Sequence, residues 1–200
     1  MSNAERTAEK VAHRPQLVPG PDKVKLGLWL FLGSEVVLFG ALIFMYALVR
    51  ITYAQNLASF RAQLNVPLVA ANTLVLIASS YVVAQALDAA KQGKPDLVRT
   101  LLALAVVLGT TFLGGQAWEW TTLLGSGIRL DSTFGAPFFI VTGLHGAHVL
   151  GGLCWAALLL LSGARHHMCS NQTESVEMFG LYWHLVDIVW VILFSVLYLL

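Results

Sequence analysis

The sequence predicts an all-α polytopic membrane protein, a bundle of five transmembrane helices, and three observations carry that prediction. Of its 200 residues, 57% are hydrophobic and only 12% are charged, against roughly 25% charged in an average soluble domain. The charges gather in short stretches between long apolar runs, where a soluble core would alternate polar and apolar faces. Five runs reach the length of about 20 residues that a helix needs to cross the hydrocarbon layer: 26–49, 66–87, 97–118, 134–161 and 178–200. A disordered segment and a disulfide-stapled secreted module are excluded. A formal net charge of +1 leaves no basic field for a polyanion, so nucleic acid is not an expected partner.

Residues 1–25 form a polar N-terminal tail with Glu5, Glu9 and Asp22. No signal-peptide pattern precedes the first run, which is expected to act as its own insertion signal. Gly20 and Pro21 halt structure before it, and Gly93-Lys94-Pro95 marks the turn between the second and third runs. Gly125 and Gly127 loosen the loop before the fourth, and 170–173 is a cap-rich approach to the fifth. Gly114-Gly115 and Gly151-Gly152 look like close-packing points between helices. Cys154 lies in an apolar run and Cys169 in a polar loop, so both read as free thiols.

Lys and Arg set the direction. Nine fall in the tail and the second and fourth loops, and three (Arg50, Arg61, Arg129) fall opposite. The N-terminus is expected in the cytoplasm and the C-terminus outside.

An ionisable group at bilayer depth costs several kcal/mol unless it is paired, neutralised or facing a cavity. Glu35 lies nine residues into the first run, His145 and His148 are three apart in the fourth, and His184 and Asp187 are three apart in the fifth. At about 1.5 Å per residue, Glu35 and Asp187 each sit roughly 13 Å deep, close to the layer of the histidines. One buried network of Glu35, His145, His148, His184 and Asp187 is therefore expected, with His184 and Asp187 as a hydrogen-bonded pair. The ordinary use of such groups is to join helices. Glu119 closes the third run near the outer surface, where its cost is lower. An i, i+3 histidine pair suits one ion, and histidines on two helices suit haem, but CxxCH, HExxH and thiolate pairs are absent from the sequence. No metal site is expected.

The stretches LGLWLFLGSEVVLFG (26–40), TLVLIASS (73–80), GQAWEW (115–120), TFGAPFFIVTGLHGAHVLGGL (133–153) and YWHLVDIVWVILFSVLYLL (182–200) resemble, in order, subunit III of the haem-copper terminal oxidases in its five-helix bacterial form. The resemblance covers 26–200 and implies an accessory subunit of a cytochrome c oxidase, or of a quinol oxidase, in the bacterial cell membrane. It implies that the chain holds no redox centre, with haem and copper on partner subunits I and II. Subunit III of that family packs against subunit I and supports its proton uptake. The family's carbodiimide-reactive acid falls on Glu35. A split of two helices against three around a lipid-filled cleft is implied, with bound phospholipid and Arg165 as a loose candidate for a lipid phosphate. Two rivals remain: a nitric-oxide-reductase accessory protein of the same superfamily, and a transporter. The SEV and GQAWEW motifs speak against the first, and the lack of a repeat or of mid-helix Gly/Pro breaks speaks against the second.

Overall fold

The computed structural model describes residues 23–54, 60–165 and 171–200, the side chains of 162–165 and 171–172 excepted. It contains helices α1 (Lys23–Thr52), α2 (Val66–Lys91), α3 (Pro95–Gly125), α4 (Gly135–Arg165) and α5 (Asn171–Phe194), and α5 ends in one π turn, Ser195–Leu199. All five helices are long and apolar enough to cross a membrane. Each runs past one or both of its expected limits, since backbone hydrogen bonding continues where apolar side chains stop. The shift reaches seven residues at two ends: α5 begins that far before 178, in the polar stretch NQTESVE, and α3 continues that far past 118 to Gly125. Helix α1 likewise takes Lys23, Val24 and Lys25, two of them charged, from the expected tail.

The ends follow local chemistry. Asn65 caps α2, its Oδ1 accepting from the Leu68 N–H at 3.2 Å, and Pro67 sits in the first turn. Gly93 follows α2 at φ 67°, a left-handed conformation that only glycine adopts without strain, and Pro95 then starts α3. Ser132 closes the turn before α4, its Oγ accepting from the Gly135 N–H at 3.0 Å.

Helices α2 to α5 pack as a four-helix ring in which α2 and α4 are diagonal, and α1 leans on α4 and α5 from outside. The expected split of two helices against three is not apparent in this packing, in which α1 contacts α4 and α5. Leu32, Phe39 and Tyr46, each seven residues apart, form the buried seam of α1. Trp29, Leu30, Val37, Phe44 and Ile51 face away from the bundle.

In lipid the apolar effect does not pull helices together, so close approach and hydrogen bonds must. The Trp183 Nε1–H donates to Ser79 Oγ at 3.0 Å and the Trp190 Nε1–H to Thr73 Oγ1 at 2.9 Å, fastening α5 to α2. The Asn72 amide donates to the Phe112 carbonyl at 2.9 Å, fastening α2 to α3. Gly115 lets Asn72 reach that carbonyl, and Gly152 lets the Trp183 ring lie on α4. Gly114, by contrast, has nothing near it and is not a packing point. Lys25 pairs with Glu174 at 3.2 Å at one end of the bundle. At the other end Arg50 donates to the Val196 carbonyl at 3.1 Å, and Arg61 donates to the Leu199 and Leu200 carbonyls, both at 3.0 Å.

Candidate functional site

Glu35 of α1 meets His148 of α4. The carboxylate Oε2 lies 2.9 Å from Nε2, and both side chains are mostly enclosed. The other ring nitrogen, Nδ1, lies 2.8 Å from the Leu144 carbonyl. A carbonyl only accepts, so Nδ1 carries a hydrogen. If Nε2 and the carboxylate were both bare, two lone pairs would face each other at 2.9 Å. A proton on the acid or on the ring would relieve that approach, and Oε2 has no hydrogen bond of good geometry within the chain. Either arrangement would be neutral overall, and the one without separated charges would avoid the cost of taking an ion pair out of water. The Tyr182 hydroxyl donates to the His148 carbonyl at 2.8 Å, and Phe39 packs its edge on the His148 ring at 5.2 Å. Three helices hold the pair in place.

The remaining polar groups do not join it, which corrects the expected single network. His145 is wholly buried and stacks on Trp190 at 4.8 Å, with Phe112 edge-on at 5.9 Å. Neither of its nitrogens has a hydrogen-bond partner among the described residues. Three residues of helix are 300° of rotation, leaving neighbours about 60° apart, and that offset sends His145 to the bundle core while His148 meets α1. His184 and Asp187 do not bond to each other either. His184 Nδ1 shares a hydrogen bond of 2.6 Å with Ser80 Oγ of α2, and both Asp187 oxygens are buried without a partner. Spacing placed those side chains on one face, but the nearer partner came from another helix.

Glu119 departs from expectation in another way. Helix α3 continues to Gly125, so the acid does not close it, and the side chain is 2% exposed instead of bordering water. Its Oε2 accepts from the Tyr198 hydroxyl at 2.7 Å and from the Gln116 amide at 3.0 Å. Gln116 was legible as the residue one turn before Glu119, whereas Tyr198 lies 79 positions away and carried no such signal. Arg165 ends α4, with its side chain outside the described residues, as are His166, His167 and Cys169. Cys154 is free and exposed. Among the described residues no three His, Cys, Asp or Glu side chains converge as a metal-ligand group.

A model of the family described as cytochrome c oxidase subunit III matches residues 9–200. The chain belongs to that family. A cytochrome c oxidase subunit 3 from Thermostichus vulcanus is 37% identical over 90% of this chain and 89% of its own length. A "probable cytochrome c oxidase subunit 3" from Nocardia farcinica is 32% identical over 94% and 93%. A "probable quinol oxidase subunit 3" from Staphylococcus saprophyticus is 30% identical over 100% and 97%. This subunit III is thus an integral membrane component of a multi-subunit haem-copper oxidase, and the complex as a whole is an oxidoreductase.

Proposed function

We propose that this subunit III is the non-redox, accessory subunit of a cytochrome c oxidase, packed against the catalytic subunit I within a complex that includes subunit II, and that Glu35 and His148 support proton uptake by subunit I. The observation that carries the reading is the 2.9 Å approach of Glu35 Oε2 and His148 Nε2. The pair can take a proton at one site and yield it at the other, and it stays neutral between the two. The described histidines do not suit a haem or a copper, because His145 is shut in an aromatic box while His148 and His184 are engaged on different faces. Haem and copper accordingly belong to the partner subunits. We place the N-terminus in the cytoplasm of a bacterial cell, and phospholipid against the outward face of α1 and near the Arg165 end of α4. A quinol oxidase is the second reading, favoured by the Staphylococcus relative's name.

Glu35→Gln tests the reading, because it keeps volume and hydrogen bonding while removing the titratable proton. In the assembled oxidase it lowers turnover by less than about tenfold, which is about 1.4 kcal/mol of barrier, shortens the working life and flattens the pH dependence. A silent Gln variant beside a Glu35→Ala variant that sheds subunit III would show that the acid only fastens helices.

A further inference from the structure

Tyr182 of α5 touches both helices that carry the Glu35–His148 pair. It is buried, and its ring lies in a notch of α4 opened by Gly151 and Gly152. A Cβ at the first glycine would stand 3.6 Å from the hydroxyl, and one at the second 3.1 Å from Cε1. On α4 the hydroxyl donates to the His148 carbonyl at 2.8 Å, and the Trp155 ring lies 5.7 Å away. On α1 the Phe31 ring stacks on the phenol at 6.2 Å. Phe31 is four residues before Glu35, and Phe39, which meets the His148 ring at 5.2 Å, is four after. Residues four apart share a helix face, so Glu35 is bracketed by a contact to α5 on one turn and to α4 on the next. We propose that Tyr182 is the positioning residue of the pair: it holds α1 and the His148 backbone in one register, and so sets the 2.9 Å approach of Glu35 to His148.

The His148 ring is oriented by its own helix, through the Leu144 carbonyl, and that bond does not fix where α1 sits. In lipid the separation of two helices is left to packing and hydrogen bonds between them, and here α1 is packed chiefly by α4 and α5. Proton exchange needs the heavy atoms within hydrogen-bond reach, so a drift of roughly 0.6 Å, to about 3.5 Å, already ends it. The tyrosine hydroxyl acts through position alone, because its hydrogen is engaged by a backbone carbonyl. Of the titratable groups that α4 and α5 carry near this level, His145 lies in its aromatic box and His184 bonds Ser80 of α2. Neither replaces Tyr182 in holding α1.

The inference rests on the proton role proposed for the pair, and two readouts on the assembled oxidase keep them apart. The carboxyl vibration of Glu35 is identified in pH-induced infrared difference spectra by its loss in Glu35→Gln. Tyr182→Phe keeps the ring and removes the hydroxyl, leaving the His148 carbonyl its ordinary helical partner. Phe31→Leu keeps apolar bulk and removes the stacked ring. Each variant is expected to shift the Glu35 vibration, to flatten the pH dependence and to lower turnover by about threefold, the rate equivalent of one weak hydrogen bond. Combined with Glu35→Gln, neither lowers turnover further, because groups that act through one contact are not additive. An unmoved vibration in the Tyr182→Phe oxidase overturns the proposal. So does an equal loss of turnover in the Glu35→Gln background, which would mark Tyr182 as a packing residue only. If Tyr182→Phe sheds the subunit, Phe31→Leu decides by the same two criteria. A vibration that moves while Glu35→Gln leaves turnover untouched would overturn the proton reading instead and keep the positioning.

Discussion

Glu119 and Tyr198 show how a buried acid is made tolerable. The carboxyl accepts two hydrogen bonds at one oxygen, from Tyr198 and Gln116, while Oε1 has no partner in the chain. Removing the tyrosine hydroxyl leaves an already short-handed group with one donor. Tyr198→Phe should therefore destabilise the subunit by about 1–3 kcal/mol, read as a lower midpoint for heat-induced dissociation of the oxidase, with absorbance spectra unchanged before heating. An unchanged midpoint would mean that another group, such as a water or a neighbouring subunit, satisfies Glu119. The π turn Ser195–Leu199 has a part in this geometry. Its bond from the Leu200 N–H to the Ser195 carbonyl, 3.0 Å, spans five residues, and the extra residue per turn redirects the side chains of that segment.

Between elements the deciding contacts are close ones. A methyl group added at Gly152 would lie 2.6 Å from the Trp183 ring, which is itself buried and bonded to Ser79. Gly152→Ala thus has to push α4 from α5, and over-packing of that kind costs about 1–3 kcal/mol. Gly114→Ala meets nothing within 4 Å, and it should be neutral or slightly stabilising, because alanine is the better helix former by about 1 kcal/mol. Thermal stability of the two purified variants distinguishes them, and equal destabilisation would count against the packing assigned to Gly152. Two of the three arginines on the sparsely charged side have a comparable structural duty. Arg50 and Arg61 reach carbonyls at the end of α5 that have no helical partner, and their charge also suits the negative end of the helix dipole.

At the scale of the whole molecule the helices alternate in direction, which puts the 91–95 turn and the Ser126–Phe134 loop at opposite ends. The proposed orientation, which follows the nine-to-three bias of Lys and Arg, puts the first end in the cytoplasm. In a background with Cys154 and Cys169 replaced, Leu130→Cys should react with an impermeant maleimide added to intact cells. Gln92→Cys should react only after the membrane is opened. Labelling of both from outside would contradict five alternating crossings, and the reverse pattern would invert the orientation.

The sequence by itself determined the helix number, their approximate places and the family. Helix number follows from hydropathy, since hydrocarbon demands about 20 apolar residues per crossing and leaves few other solutions. The turn at Gly93 and the cap at Asn65 were equally local, because each is set by residues that touch along the chain. The tertiary structure alone decided which polar groups meet. Glu35, His145, His148, His184 and Asp187 share a depth, and depth is all that rise per residue conveys. Their partners depend on helix rotation, where about 60° separates His145 in its aromatic box from His148 beside Glu35. They depend also on which helices are neighbours. Tyr198 reaches Glu119, and Ser80 takes His184 from Asp187, because α5 packs on α2 and its end reaches α3 across the ring, which brings together residues far apart in the chain.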